Sequence, residues 1–204
     1  MAPPQVWAGF GSASYSGGED PDPQSRLAAG KLLLAGDNIT TEPFAQSVIL
    51  LTSYGRDGAI GVIINKPTKM LLSMALPTAS KLKGSKEVLF YGGPVSRNIF
   101  TILMESEDDL AKTEGVIPVF GKVYFVTNRE IIAGSVGNKE KLYRGFAGYA
   151  GWAPGQLEGE MARGDWSVAS ADSKTVFSGA PQALWGKFRH QRKGGRWATI
   201  PLFW

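Results

Sequence analysis

A pattern of apolar positions begins near Leu27 and runs almost to the end of the chain. Residues 31–36 (KLLLAG), 47–53 (SVILLTS) and 58–65 (GAIGVIIN) are short, nearly unbroken apolar runs closed by turn residues. Strands covered on both faces read this way, because neither face has to meet water. Pro67 drives Lys66 toward extended geometry and is expected to end pairing after the third run. Residues 70–83 have helical spacing but contain Pro77, which predicts a short helix and a loop. Strands are expected at 87–91 and 98–105, separated by Gly92-Gly93-Pro94. The acidic stretch 105–110 is expected to face solvent, and 115–119 with 122–127 predict a hairpin about Gly121. Asn128 is placed to cap a helix by accepting an orphan amide proton.

The stretch 144–166 (RGFAGYAGWAPGQLEGEMARGDW) is the most unusual. Residues 141–150 read as a strand. Pro154 suits a first helical turn, Leu157 and Met161 share a helix face, and Gly164 is a stop. A strand at 166–169 and a short amphipathic helix at 181–190 complete the pattern. Strands dominate and helices interrupt them irregularly, which favours an α+β fold with a mixed sheet over strict βαβ alternation.

Outside this body the chain changes character. Twelve of residues 1–26 are Gly, Pro or Ser, so this leader has little with which to offset the entropy of ordering. It has neither the basic start nor the apolar centre of a signal peptide, although a trimmed export signal behind a new Met1 would leave the same pattern. Of the formal net charge of +4, residues 187–204 carry +5 and no acid, so basicity belongs to the end of the chain. The domain is thus expected over 27–188, with 189–204 a basic–aromatic extension. With 204 residues, the chain suits one domain with a sizeable core. No apolar run reaches membrane-spanning length. The absence of cysteine excludes disulfides, thiol catalysis and zinc–thiolate or iron–sulfur sites, and the single His190 excludes a multi-histidine metal site.

Motifs for chemistry are scarce. Gly9-Phe10-Gly11 lacks the third glycine of a dinucleotide fingerprint, and Gly186-Lys187 is followed by Phe188 rather than Ser or Thr. Asn38-Ile39-Thr40 matches a glycosylation sequon. Gly92-Gly93 reads either as a structural turn or as a loop aiming amides at an anion. Glu158 and Glu160 stand about 200° apart around a helix, so they do not form a carboxylate pair; Glu158 alone could act with a residue from elsewhere. His190 is a candidate general base, standing beside Arg189, Arg192 and Lys193 at the edge of the expected extension. Tyr149, Trp152 and Trp166 serve either packing or recognition. The extension serves nucleic acid, membrane or protein contact, or forms an edge strand.

GKLLLAG, EPFAQSVILLTS, GAIGVIINKP, YGGPV and RGFAGYAGWAPGQLEGEMARGDW, in this order, resemble the YqgE/AlgH family of small bacterial proteins. The resemblance spans about 27–188 and is most specific at Gly148-Tyr149-Ala150-Gly151-Trp152 with Gly155-Gln156-Leu157-Glu158. It implies an α+β fold with a mixed, bifurcated and partly barrel-like β-sheet flanked by helices. It implies no established enzyme activity, a cytoplasmic location, and transcriptional regulation in the alginate branch. The family's Arg-Thr before the second strand and His after it are replaced here by Gln46-Ser47 and Tyr54.

The expectation is a non-enzymatic regulatory or protein-binding module without catalytic residues, metal or cofactor. Asn65, Pro67, Gly92, Gly93, Pro94, Tyr149, Trp152, Gln156 and Glu158 are its candidate binding residues, most of them expected on one contiguous surface. A second reading is an enzyme or small-ligand binder using Glu158 with the Gly92-Gly93 loop, which requires a pocket beside Glu158. A third is nucleic-acid contact through Arg189, Arg192, Lys193 and Arg196.

Overall fold

The computed structural model describes residues 27–193, so the leader and Arg196 lie outside the described residues. The fold is α+β, a large and mostly antiparallel sheet flanked by short helices. Strands β1 (Lys31–Ala35), β2 (Val48–Gly55) and β3 (Gly58–Ile63) form an antiparallel meander, with β10 (Trp166–Ser170) on the outer edge of β1. Their unbroken apolar character follows from their position. Leu32, Leu34, Val48, Leu50, Ile60 and Val62 face a central cluster, and the alternate residues Leu33, Ala35, Ile49, Leu51 and Ile63 face a second one.

The other half of the sheet is built from β6 (Val95–Glu105), β8 (Val123–Val126) and β7 (Val116–Phe120). Leu103, Val123 and Phe125 complete the central cluster, while Ile102, Met104, Tyr124 and Val126 face a third cluster. That outer cluster is covered by Leu72 of α1 (Leu72–Ala75), by Leu82 and by Ile132 of α2 (Arg129–Ser135). The two halves curl around the central cluster until β7 comes back against β2 without hydrogen-bonding to it, a partial barrel.

Strand β9 (Tyr143–Trp152) is where the sheet forks. One edge pairs with β6. The other pairs with β3 through Ala150–Trp152 and, in parallel, with β5 (Val88–Tyr91) through Phe146 and Ala147. Gly92 lies in the crotch: its N–H donates to Ala147 O and its carbonyl accepts from Ile63 N, both at 2.9 Å. Gly148, at φ +71°, breaks the alternation of β9, so Tyr149 joins Phe146 in the central cluster despite the odd spacing between them, and Trp152 falls on the opposite face in the second cluster.

Several elements depart from the sequence expectations. Pro67 does not end pairing; it opens β4 (Pro67–Leu71), opposite Phe90 of β5, a first-residue position where its missing N–H costs no ladder bond. Strand β6 begins at Val95, ahead of the expected 98, helped by Ser96 at φ +48°. Pro154 sits in the turn before α3 (Gln156–Ala162), which Gly155 opens in a left-handed conformation. The capped turn α4 (Ser173–Val176) carried no periodic signal. Helix α5 (Leu184–Lys193) passes through the expected boundary at 188 without a break, because Leu184 is buried and Trp185 and Phe188 pack on the central cluster.

Arg144 of β9 ties these parts together. Its Nη1 donates to Ile64 O (3.1 Å) and Val176 O (2.7 Å), its Nη2 to Ser178 O (2.8 Å), and its guanidinium lies 4.3 Å from the Phe90 ring centroid. Burial pushes its pKa down to about 10. Hydrogen bonds from a charged donor contribute about 1.5–3 kcal/mol each, with incomplete additivity. Arg144→Met is therefore expected to cost about 3 kcal/mol in urea unfolding; a loss within experimental error would show that the three carbonyls are equally well served by other groups.

Candidate functional site

Helix α3 is joined to β9 and β10 by three-residue connections (153–155 and 163–165). The short links set Trp152, the last residue of β9, and Trp166, the first of β10, on either side of the helix. Leu157 and Met161 bury one helix face in the second cluster. Gln156 and Glu160, one turn apart, share another.

Between the two indoles stands Glu160. Its Oε2 accepts from Trp152 Nε1 and from Trp166 Nε1, each at 2.8 Å, and its Oε1 accepts from Gln156 Nε2 at 3.0 Å. The indole rings meet edge-to-face, with centroids 6.1 Å apart and an interplanar angle of 83°. The chain from Gly36 to Ser47 closes over them: Phe44 meets Trp166 edge-on at 6.0 Å. Asp165 fastens this loop, its Oδ1 accepting from Asn38 Nδ2 (2.7 Å) and its Oδ2 from Arg163 Nε (3.0 Å) and Nη2 (2.7 Å). The result is a cleft of about 250 Å³ lined by Ile39, Phe44, Gly151, Trp152, Gln156, Glu160, Arg163, Asp165 and Trp166.

Glu158 points elsewhere on α3. Its Oε1 accepts from the Tyr54 hydroxyl at 2.6 Å, and the cleft-lining residues do not include it. Partial burial, and then the Glu158 contact, push the Tyr54 pKa up to about 12. A tyrosine whose folded pKa exceeds its unfolded value of 10 stabilises the fold fully below pH 10. That contribution is lost as pH rises from about 10 to about 12. Tyr143, half-buried and donating to Glu87, is raised as well. The expected readout is therefore a difference: alkaline unfolding of Tyr54→Phe should show a shallower fall in stability over that window than the wild type. Superimposable profiles would remove the Tyr54–Glu158 bond from the account.

A family model described as AlgH-like matches residues 32–197. The chain belongs to the AlgH-like family. Among similar relatives, a UPF0301 protein of Mycobacteroides abscessus is 36% identical over 179 residues, covering 85% of this chain and 84% of the relative. A UPF0301 protein of Mycobacterium tuberculosis is 34% identical, over 83% and 87%. Among solved structures, protein DIP2367 from Corynebacterium diphtheriae superposes with a TM-score of 0.67 at 25% identity, covering 86% of this chain and 89% of that one. The AlgH protein from Pseudomonas aeruginosa shares the fold, with a TM-score of 0.64 at 24% identity over 88% and 93%.

Within this AlgH-like domain the residues singled out by sequence separate into two groups. Trp152 and Gln156 line the cleft. The others do not join them on one surface. Asn65 is buried, with its Oδ1 accepting from Val48 N (2.8 Å) and its Nδ2 donating to Gln46 O (2.9 Å). It extends the β2–β3 ladder by imitating a backbone amide. Gly92 and Gly93 are buried against β9, where a Cβ would stand 2.2 Å from Gly148 O and 2.1 Å from Tyr149 C. Close backbone approach, not an anion, explains the glycines. Pro94 is exposed beside them and Pro67 belongs to β4. Tyr149 is buried on the far face of β9 from Trp152. Ser47 is fully buried at the foot of β2.

No motif marks Phe44 or Asp165 as site residues, and the spacing that excludes Glu160 from a carboxylate pair does not reveal its role as acceptor for Trp152 and Trp166. One signal was available: a buried indole needs an acceptor for its N–H, and Glu160 lies on the helix face shared with Gln156. In α5, Arg189 pairs with Asp37 (Nε to Oδ1, 2.9 Å) and lies 5.1 Å from the Trp185 ring centroid. Arg192 and Lys193 lie in the last turn of the same helix.

Proposed function

We propose that this protein acts as a non-enzymatic binding module of a regulatory kind in the cytoplasm, and that it recognises its partner with the Trp152–Trp166 cleft. The observation that carries this reading is the coordination of Glu160. Both carboxylate oxygens accept from fixed donors, so the acid is committed to holding the aromatic walls in place rather than to exchanging protons with a substrate. The surroundings agree, with aromatic walls and a few convergent polar groups, and with Ile39 and Phe44 of the loop between β1 and β2 in the lining. The reading that uses Glu158 as acid or base is weaker, because its carboxylate is engaged by Tyr54 and lies outside the cleft lining. Nucleic-acid contact through the basic end is weaker too, since Arg189 is already paired within the domain.

The test follows the indole N–H signals of Trp152 and Trp166 by NMR while the full-length protein is titrated with N-acetyl amino-acid amides. The panel contains an aromatic, an aliphatic, an acidic and a basic member. Saturable movement of these two signals by any member, with the amide recovered unchanged, supports recognition at the cleft. Silence with all four overturns it.

A further inference from the structure

The cleft's aromatic rings stand nearly at right angles to one another, Phe44 to Trp166 at 86° and Trp152 to Trp166 at 83°. Trp152 and Trp166 are only 7% and 5% exposed, so only a narrow group can reach them. A volume of about 250 Å³ suits one long side chain; sites for whole small molecules begin at about 300 Å³. The charged lining is Glu160, Asp165 and Arg163, which leaves one excess negative charge. Aromatic faces beside an anion attract cations. A guanidinium fits such a place better than an ammonium, since its planar fork meets a carboxylate in two bonds and lies flat on a ring.

The protein already displays the pairing in miniature. Arg163 holds Asp165 with Nε and Nη2, yet its side chain is 63% exposed. Asp165 is only 18% exposed, so the pair meets solvent on the Arg163 side alone: that cation can leave into water while the carboxylate stays in the cleft lining. We propose that the cleft receives the guanidinium of an arginine side chain presented by a partner protein. That guanidinium takes the place of Arg163 on Asp165 and lies against the aromatic wall. This rests on the cleft being the recognition surface, and it names the chemistry that surface selects.

The experiment titrates isotope-labelled full-length protein with N-acetylarginine amide, with the citrulline amide of the same shape and no charge, and with the lysine amide. Arginine amide is expected to move the Trp152 and Trp166 indole signals saturably with a millimolar Kd. Citrulline amide should bind at least about tenfold more weakly, a difference set by the charge-assisted bonds it lacks. Lysine amide should fall between them. Arg163→Ala removes the competing cation from an exposed position and should tighten arginine amide binding about two- to fivefold. Phe44→Leu should weaken it. Citrulline amide binding as tightly as arginine amide, unchanged affinity in Arg163→Ala, or no response to arginine amide would each overturn the proposal. If the aromatic or aliphatic amide moves the same signals while arginine amide does not, the guanidinium inference falls and the cleft remains the recognition surface.

Discussion

Gly93→Ala is expected to leave no folded protein at 37 °C. A Cβ built there would stand 2.1 Å from Tyr149 C, 2.3 Å from its carbonyl oxygen and 2.4 Å from Ala150 N. All three are backbone atoms of β9. They cannot withdraw, because Tyr149 is in register with Val95 of β6 and Ala150 with Gly61 of β3. The residue's φ of +154° adds strain for any side chain. Overpacking that side chains relieve costs about 1–3 kcal/mol; a clash with paired backbone at the fork should exceed about 4 kcal/mol. Circular dichroism melts of the soluble fraction measure it. Gly179→Ala is the control, since an added Cβ there meets nothing within 4 Å. A Gly93→Ala melt matching the control would mean that the fork opens without penalty.

Glu160→Ala is expected to cost about 3–5 kcal/mol, as it strands the indole N–H groups of Trp152 and Trp166, and a buried donor without an acceptor costs about 1–3 kcal/mol. The cavity left by the side chain adds to that loss. Glu160→Gln should lie between alanine and wild type, because the amide keeps one acceptor oxygen where the carboxylate has two. Glu158→Gln should change stability far less, for its contact is a single part-exposed bond to Tyr54. Urea unfolding gives the order, and near-ultraviolet circular dichroism reports whether the two indoles keep their perpendicular setting. Equal stability of Glu160→Ala and wild type would dismiss the carboxylate as the keystone of the cleft.

What the chain makes legible is local. The apolar runs of β1 to β3 announce strands buried on both faces, because every residue of such a strand needs an apolar neighbour whichever way it points. Asn128 caps α2, accepting from Glu130 N (3.0 Å) and Ile131 N (3.1 Å), as its position before a helical pattern indicates. Leu157 and Met161 share the buried face of α3, and Gly164 follows it at φ +76°. The signature of 144–166 likewise identifies the family, since spacing within one segment survives without knowledge of its neighbours. Pro67 was harder: a missing N–H forbids an inner ladder position, but only the approach of β5 makes the first residue of β4 an acceptable one.

The sequence by itself determined most of the strands and helices, though not β4 or α4, as well as which face of α3 is buried and to which family the chain belongs. These follow from dihedral preferences and from the two- and 3.6-residue periods of side-chain direction. Only the tertiary structure decided what the polar and glycine positions are for. Asn65 completes a ladder with a strand that begins 17 residues earlier, Gly93 makes room for β9, and Glu160 holds two indoles delivered by different strands. Each role is defined by a group distant along the chain, and hydrogen bonding and close contact act through space, so no pattern within one segment can carry them.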